Sequence, residues 1–235
     1  MSVRYRRQEI IKGFDQNKLK KAHVAVLGSG GLGSAALYYL AAAGVGKISL
    51  YDADKVEESN LNRQILHFSS DIGRYKVDSA LSKLKDLNPE IEIEGYSIKI
   101  DSESIKEIGK PDIIVDALDN FKTRFILNDY AVKNRVPFLH AAVESLEGRL
   151  SFVVPFETPC LRCIYKALPP RREIPVLGAT AGILGTMEAI EVIKFLTGIG
   201  NTLKGRMAIF NFKTWDVRII YMERDPHCDI CGMPR

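Results

Sequence analysis

With 235 residues, 46% of them hydrophobic and 26% charged, the sequence has the make-up of a globular domain large enough to bury a core. Its formal net charge of +4 is too mild, and its charge runs are too short, for a nucleic-acid-binding tail. The opening residues lack an apolar signal core, and the longest uncharged apolar stretch, 174–187, is too short to span a bilayer; together they predict a cytoplasmic protein with no membrane partner.

In chain order, the first apolar run covers 23–27 and ends at the hexapeptide GSGGLG, 28–33. A small-residue helical stretch, 34–43, follows, and a second apolar run, 47–51, closes on Asp52. Gly28, Gly30 and Gly33 thus form a dinucleotide-type fingerprint. Such glycines let the backbone approach a ligand closely, and the helix N-terminus behind them attracts phosphate. Asp52 suits ribose hydroxyls, so the loop fits NAD and ATP alike, and also a tight turn with no ligand. Residues 77–87 repeat at helical spacing up to Asn88-Pro89, and 91–100 alternate as a strand with a bulge at Gly95. The buried run 113–118 delivers Asp119 and Asn120 at its carboxyl end, where open α/β sheets bind ligands, so Asp52 and Asp119 are expected to face one crevice.

Beyond about residue 145 the texture changes to antiparallel-type strands at 149–154, 206–212 and 217–222, with a helix over 179–197. Pro155, Pro159, Pro169, Pro170 and Pro175 mark a loop-rich connection. The predicted fold is α/β: a Rossmann-like, mostly parallel sheet with helices on both faces, plus a mixed C-terminal extension with antiparallel strands. We expect a single domain, 1–235, with a nucleotide-binding half at 1–145 and a second half at 146–235.

The stretch after Asp52 is unlike that of a dehydrogenase. It carries Asn60, Arg63 and Gln64, and then Lys76 at the start of a helix. Either cation alone reads as a surface charge; two beside a phosphate loop suit a polyphosphate, and Asp119 offers a hard oxygen for Mg²⁺. Cys160-x-x-Cys163 and Cys228-x-x-Cys231 make two half-sites for a tetrahedral zinc, with disulfides as the alternative. Their separation of about 65 positions exceeds the usual zinc-ribbon spacer. His227 adjoins Cys228 as a bystander. His23, His67 and His140 show no acidic or cysteine partner in the sequence and are taken as structural.

Seven motifs then fall in one order: RYRRQ (4–8), GSGGLG (28–33), DADKVEESNLNRQ (52–64), GRYKV (73–77), DALDN (116–120), CLRC (160–163) and PHCDICG (226–232). In these the chain resembles the adenylyltransferases of ubiquitin-like sulfur-carrier proteins, above all the bacterial molybdopterin-synthase and thiamine-biosynthesis adenylyltransferases of the ubiquitin-activating-enzyme superfamily. The resemblance implies that Asp52 binds ribose, that Asn60, Arg63, Gln64 and Lys76 bind ATP and its phosphates, and that Asp119 binds Mg²⁺. Gly28, Gly30, Gly31, Gly33 and Asn120 complete the nucleotide set. It implies zinc on the four cysteines, carrier binding in the second half, and a homodimer in which Arg7 serves the other subunit's site. The implied reaction is attack by the carrier's C-terminal carboxylate on the α-phosphorus of ATP, releasing pyrophosphate. The loop 166–180 has no cysteine, so a non-covalent adenylate is expected. Nothing resembles an attached sulfurtransferase domain, which implies a separate sulfur donor. An NAD-dependent oxidoreductase and a non-catalytic ATP-binding subunit of an activating complex remain the alternatives, and the pathway served by the carrier stays open.

Overall fold

Strand β1, His23–Leu27, is apolar along its whole length because it is covered on both faces. Val24 and Val26 point into one core layer, Ala25 and Leu27 into the other. The computed structural model describes residues 3–166 and 173–232 of the chain. In it β1 lies parallel between β2, Lys47–Tyr51, and β4, Ile113–Asp116. Strand β3, Glu92–Tyr96, extends the β2 side, and β5, Phe138–Glu144, extends the β4 side. Antiparallel strands β6, Glu147–Val153, β7, Arg206–Asn211, and β8, Asp216–Tyr221, complete an eight-stranded sheet in the order β3-β2-β1-β4-β5-β6-β7-β8. The strand order reverses direction beside β1, which opens the crevice where such sheets hold ligands.

One face is covered by α3, Gly31–Ala43, α4, Lys76–Leu87, and α7, Gly178–Thr197. The other carries α5, Phe121–Asn134, and the single turn α6, Leu161–Ile164. Two short N-terminal helices, α1, Arg6–Glu9, and α2, Gln16–Lys21, precede the sheet. Asp15 caps α2 by accepting from Asn17 N at 3.0 Å. Among the described residues no helix is long and apolar enough to cross a membrane.

Four expectations change. Gly95 is not a bulge: it stays in register with Leu50, and glycine is required because Val77 and Leu81 of α4 fill the space of a Cβ. Ile98 and Ile100 lie beyond the end of β3. Strand β4 stops at Asp116, whose Oδ1 accepts from Leu118 N at 3.2 Å and turns the chain before Asp119. The sequence reading missed β5, and the β5–β6 hairpin carries the sheet without a break across residue 145. Pro169 and Pro170 lie outside the described residues.

Candidate functional site

Gly28 has φ +101°, and a Cβ there would lie 2.7 Å from the carbonyl oxygen of Ala117. Only glycine lets the loop and the turn after β4 meet this closely. Gly33 packs against the Gly28 carbonyl, while a Cβ on Gly31 would meet Ala181 of α7 at 2.9 Å and the Arg63 Cγ at 3.6 Å. Gly30 has only Gln64 Nε2 near it, at 3.8 Å, so its face stays open. Asp52, at the end of β2, fixes this loop: its Oδ2 accepts from Ser29 N and Ser29 Oγ, both at 2.8 Å, and its Oδ1 accepts from Asp54 N at 2.9 Å. His67 braces the loop from behind, with Nε2 3.0 Å from the Ser29 carbonyl and Nδ1 2.9 Å from Ser79 Oγ. Burial lowers its pKa, so it serves as a neutral strut.

The segment after Asp52 folds onto the loop. The Asn60 carbonyl accepts from Arg63 N and Gln64 N at 3.1 and 2.9 Å, and its side-chain Oδ1 accepts from Glu57 N at 3.2 Å. Arg63 Nη1 donates to the Ser59 carbonyl at 2.9 Å and to Asn62 Oδ1 at 3.1 Å. Gln64 is buried beside Gly30, and its Oε1 finds no hydrogen-bond partner among the described residues. A buried amide oxygen left in this way is destabilising unless a ligand or water donates to it. Lys76 is buried, and its ammonium sits 2.9 Å from the exposed Asp54 carboxylate. Asp119 is exposed on the turn that touches Gly28, and Asn120 Nδ2 donates to its Oδ1 at 3.2 Å. Asn120 Oδ1 caps α5 by accepting from Thr123 N at 2.9 Å.

Thus Gly28, Gly30, Gly31, Gly33, Asp52, Arg63 and Gln64 share one end of the sheet, with Lys76 joined to them through Asp54 and with the Asp119–Asn120 turn against the loop. Asn60 supports them through its backbone. Arg7 is not among them. Its neighbours Tyr5 and Gln8 contact the far end of α3: the Tyr5 ring fills the space of a Gly44 Cβ, and Gln8 Nε2 donates to the Ala43 carbonyl at 2.6 Å. The 13 residues of α3 separate that end from the glycine loop by about 20 Å.

The four cysteines converge on the α5 face, with every pair of Sγ atoms within 4.8 Å. Cys160 Sγ lies 4.0 Å from Cys163 and 3.7 Å from Cys228, and Cys163 lies 3.4 Å from Cys231. These are too long for disulfides, and all four thiols are free. A tetrahedral ion with Zn–S bonds of about 2.3 Å needs sulfur–sulfur edges of about 3.8 Å, which this set brackets. Burial pushes the Cys160 thiol up to about 11, whereas at Cys228 burial is outweighed by backbone hydrogen bonds from Cys231 and Ile230, which lower its pKa; a cation among the four sulfurs would favour the thiolate at Cys160. Four sulfur ligands leave no position open for a substrate.

Sequence reasoning missed Ser29, Asp54 and the bracing role of His67; Ser29, inside GSGG, and Asp54, inside DADKVEESNLNRQ, lay within recognisable motifs, and His67 did not. It also gave His140 no acidic partner. The structure corrects this: parallel pairing of β4 and β5 sets His140 Nδ1 2.7 Å from Asp116 Oδ2, although 24 positions separate them.

The chain is 37% identical to a sulfur carrier protein adenylyltransferase of Thermus thermophilus, over 97% of this chain and 90% of that one. It is 36% identical to a SAMP-activating enzyme E1 of Haloferax volcanii, over 92% of this chain and 83% of that one. It is 39% identical to the adenylyltransferase and sulfurtransferase MOCS3-1 of Drosophila pseudoobscura pseudoobscura, covering 98% of this chain but only 53% of the fly protein. A crystal structure of E. coli MccB superposes with a TM-score of 0.90 at 25% identity, over 99% of this chain and 73% of that one. A crystal structure of MccB with ATP superposes at 0.83 and 27% identity, over 92% and 68%. A model of the ThiF family matches residues 5–230, nearly everything from the RYRRQ helix to the last cysteine pair, and the chain belongs to that family.

Proposed function

We propose that the protein adenylylates the C-terminal carboxylate of a small ubiquitin-like sulfur-carrier protein, using ATP and Mg²⁺ and leaving the carrier ready for thiocarboxylate formation. The observation that carries this reading is the close contact of Gly28 with Ala117, two residues before Asp119, in a glycine loop that Gln64 and Arg63 line. The family membership and the adenylyltransferase names of the relatives support it over an oxidoreductase.

A carrier carboxylate oxygen attacks the α-phosphorus of ATP, the bond from that phosphorus to the bridging oxygen breaks, and pyrophosphate leaves. No protein nucleophile is required, so the chain's contribution is positioning and charge stabilisation. Gln64 donates and accepts beside the open face of Gly30. Asp52 orients the ribose while holding Ser29. Lys76 is drawn from the exposed Asp54 to the phosphates, with Arg63 beside it. Mg²⁺, when held by Asp119, would neutralise charge on the phosphate oxygens. Zinc on Cys160, Cys163, Cys228 and Cys231 is structural, and sulfur comes from a separate donor.

Arg7 lies too far from its own glycine loop to reach it, so a site that uses Arg7 draws it from a second copy. An apolar groove of about 620 Å³ between α3 and α7, lined by Tyr38, Tyr39, Ile65, Ile183 and Ile190, suits that copy. Ile65 follows directly on Arg63 and Gln64, so the groove borders the nucleotide site. Carrier contact is assigned to residues 146–235, where β8 ends the sheet with Val217, Ile219 and Tyr221 exposed.

The test is exchange of labelled pyrophosphate into ATP, run against each small ubiquitin-like protein of the source organism. Exchange is expected only with Mg²⁺ and a cognate carrier bearing a free C-terminus. Tight NADH binding with no exchange for any carrier would overturn the reading.

A further inference from the structure

On the face covered by α5 and α6, a polar row crosses the sheet where apolar residues would pack more simply. Asp116, His140 and Ser151 are register neighbours on β4, β5 and β6, and all three are fully buried. His140 Nδ1 lies 2.7 Å from Asp116 Oδ2, and its Nε2 lies 3.2 Å from the Tyr165 hydroxyl. Burial lowers the His140 pKa, so the ring is neutral. Facing a carboxylate on one side, it then donates from Nδ1 and accepts the Tyr165 O–H at Nε2.

Each end of this chain of contacts leads to a functional element. At one end, Asp116 Oδ1 accepts from Leu118 N at 3.2 Å. Buried Arg124 stands 3.4 Å from Asp116 Oδ2 and donates through Nη2 to the carbonyls of Leu118, at 2.5 Å, and Ala141, at 2.7 Å. Both backbone groups of Leu118 are therefore fixed, one residue before Asp119. At the other end, Tyr165 follows Cys163 by two residues and packs edge-on against Phe121 of α5 at 4.8 Å. Ser151 Oγ and Arg124 Nε have no hydrogen-bond partner among the described residues, so the paired members are Asp116, His140, Tyr165 and Arg124 Nη2, and pairing holds these in one arrangement.

We propose that His140 and Tyr165 are positioning residues that transmit the closed state of the cysteine clamp to the turn bearing Asp119. This rests on the reading of Asp119 as the Mg²⁺ ligand in adenylyl transfer. Neither side chain touches nucleotide; they act through Asp116 and Leu118. The relay has a defined weak link in the His140–Tyr165 hydrogen bond, because Tyr165→Phe removes one hydroxyl and leaves the ring packing in place.

The experiment compares the zinc-loaded protein with its Tyr165→Phe and His140→Asn variants. Zinc content and ATP affinity should stay within about twofold of the parent. The Mg²⁺ concentration for half-maximal pyrophosphate exchange should rise about fivefold in Tyr165→Phe, the size expected of one neutral hydrogen bond. Amide hydrogen exchange at Leu118 should quicken by a similar factor while β1 amides keep their protection. His140→Asn, too short to bridge Asp116 and Tyr165, should reproduce both changes. Stripping zinc from the parent should shift Leu118 in the same direction, and stripping it from Tyr165→Phe should add little, as for two steps of one coupled path. Variants that lose thermal stability while Leu118 protection and Mg²⁺ half-saturation stay at parental values would reduce the pair to packing and overturn the proposal. If the parent gives no exchange with any carrier, the adenylylation reading fails, and Leu118 protection alone then decides the relay.

Discussion

At the scale of single residues, the site rests on charges whose present partners are easily exchanged. Lys76 is buried, but its partner Asp54 is 72% exposed, so water can solvate Asp54 if the ammonium turns to another anion, as the proposed function requires. Lys76→Ala should lower kcat/KM for pyrophosphate exchange by roughly 100-fold, in the range for losing a donor to developing charge. Asp54→Asn should change it by less than about threefold, since the ammonium stays in place. If the two substitutions prove equally damaging in folded protein, the pair is structural rather than a resting contact of the site. Glu188 gives a second test. It is fully buried on α7, neither carboxylate oxygen has a hydrogen-bond partner among the described residues, and burial, with Asp116 adding to it, raises its pKa well above 4.5. The folded state then keeps a proton that the unfolded state releases, so this group's effect on stability turns unfavourable as pH rises from 4.5 towards the raised value. Glu188→Gln should therefore leave Tm nearly unchanged at about pH 4 and raise it at about pH 8, as read by calorimetry. An equal shift at both values would show that no proton is held there. The sequence displays Lys76, Arg63, Gln64 and Asp119 because each stands at a fixed distance from a recognisable loop. It hides the electrostatic influence of Asp116 and Arg124 on Glu188, and the meeting of Asp116 with His140, because only strand pairing and helix packing bring these groups near one another.

Among elements, the first βαβ unit was the most legible, since an apolar strand, a glycine turn and a small-residue helix leave little choice of local structure. Strand β5 was not, because FLHAAVE holds a buried histidine that breaks the apolar pattern until Asp116 is known to satisfy it. Gly95 misled for a related reason: from sequence a glycine inside a strand signals a bulge, and here it makes room for α4. The cysteine clamp is also an element-scale object. It is lashed to α5 through Leu161 N donating to Asn128 Oδ1 at 2.8 Å and through the Arg162–Asp129 ion pair at 2.6 Å. All four thiols of the chain sit within this one cluster, and on the proposed reading, with zinc bound there, none would be free to capture an adenylate. Incubation of enzyme, carrier and ATP should yield no dithiothreitol-sensitive adduct by intact mass, and metal analysis should return one zinc per chain. A carrier adduct mapped to any of the four cysteines would make one CxxC pair catalytic.

For the whole molecule, a site that uses Arg7 would have to draw it from a second copy, because the chain's own Arg7 belongs to the segment packed on the far end of α3 from the glycine loop. Inactive Arg7→Ala and Asp119→Ala proteins, mixed under conditions that exchange subunits, should recover up to about a quarter of parental activity, because half of the dimers are hybrids and each hybrid has one intact site. Hybrids that form without any activity would remove Arg7 from the neighbouring site. The clamp has a further consequence, one of timing. Cys160 and Cys228 stand 68 positions apart, so the clamp closes only after its last ligand has been synthesised. The ribosome releases the Asp119 turn roughly a hundred residues before Cys231, a lead of about 5–20 s at common elongation rates, and the glycine loop roughly a hundred residues earlier still. During that lead the nascent chain has its phosphate loop but no closed clamp behind the Asp119 turn.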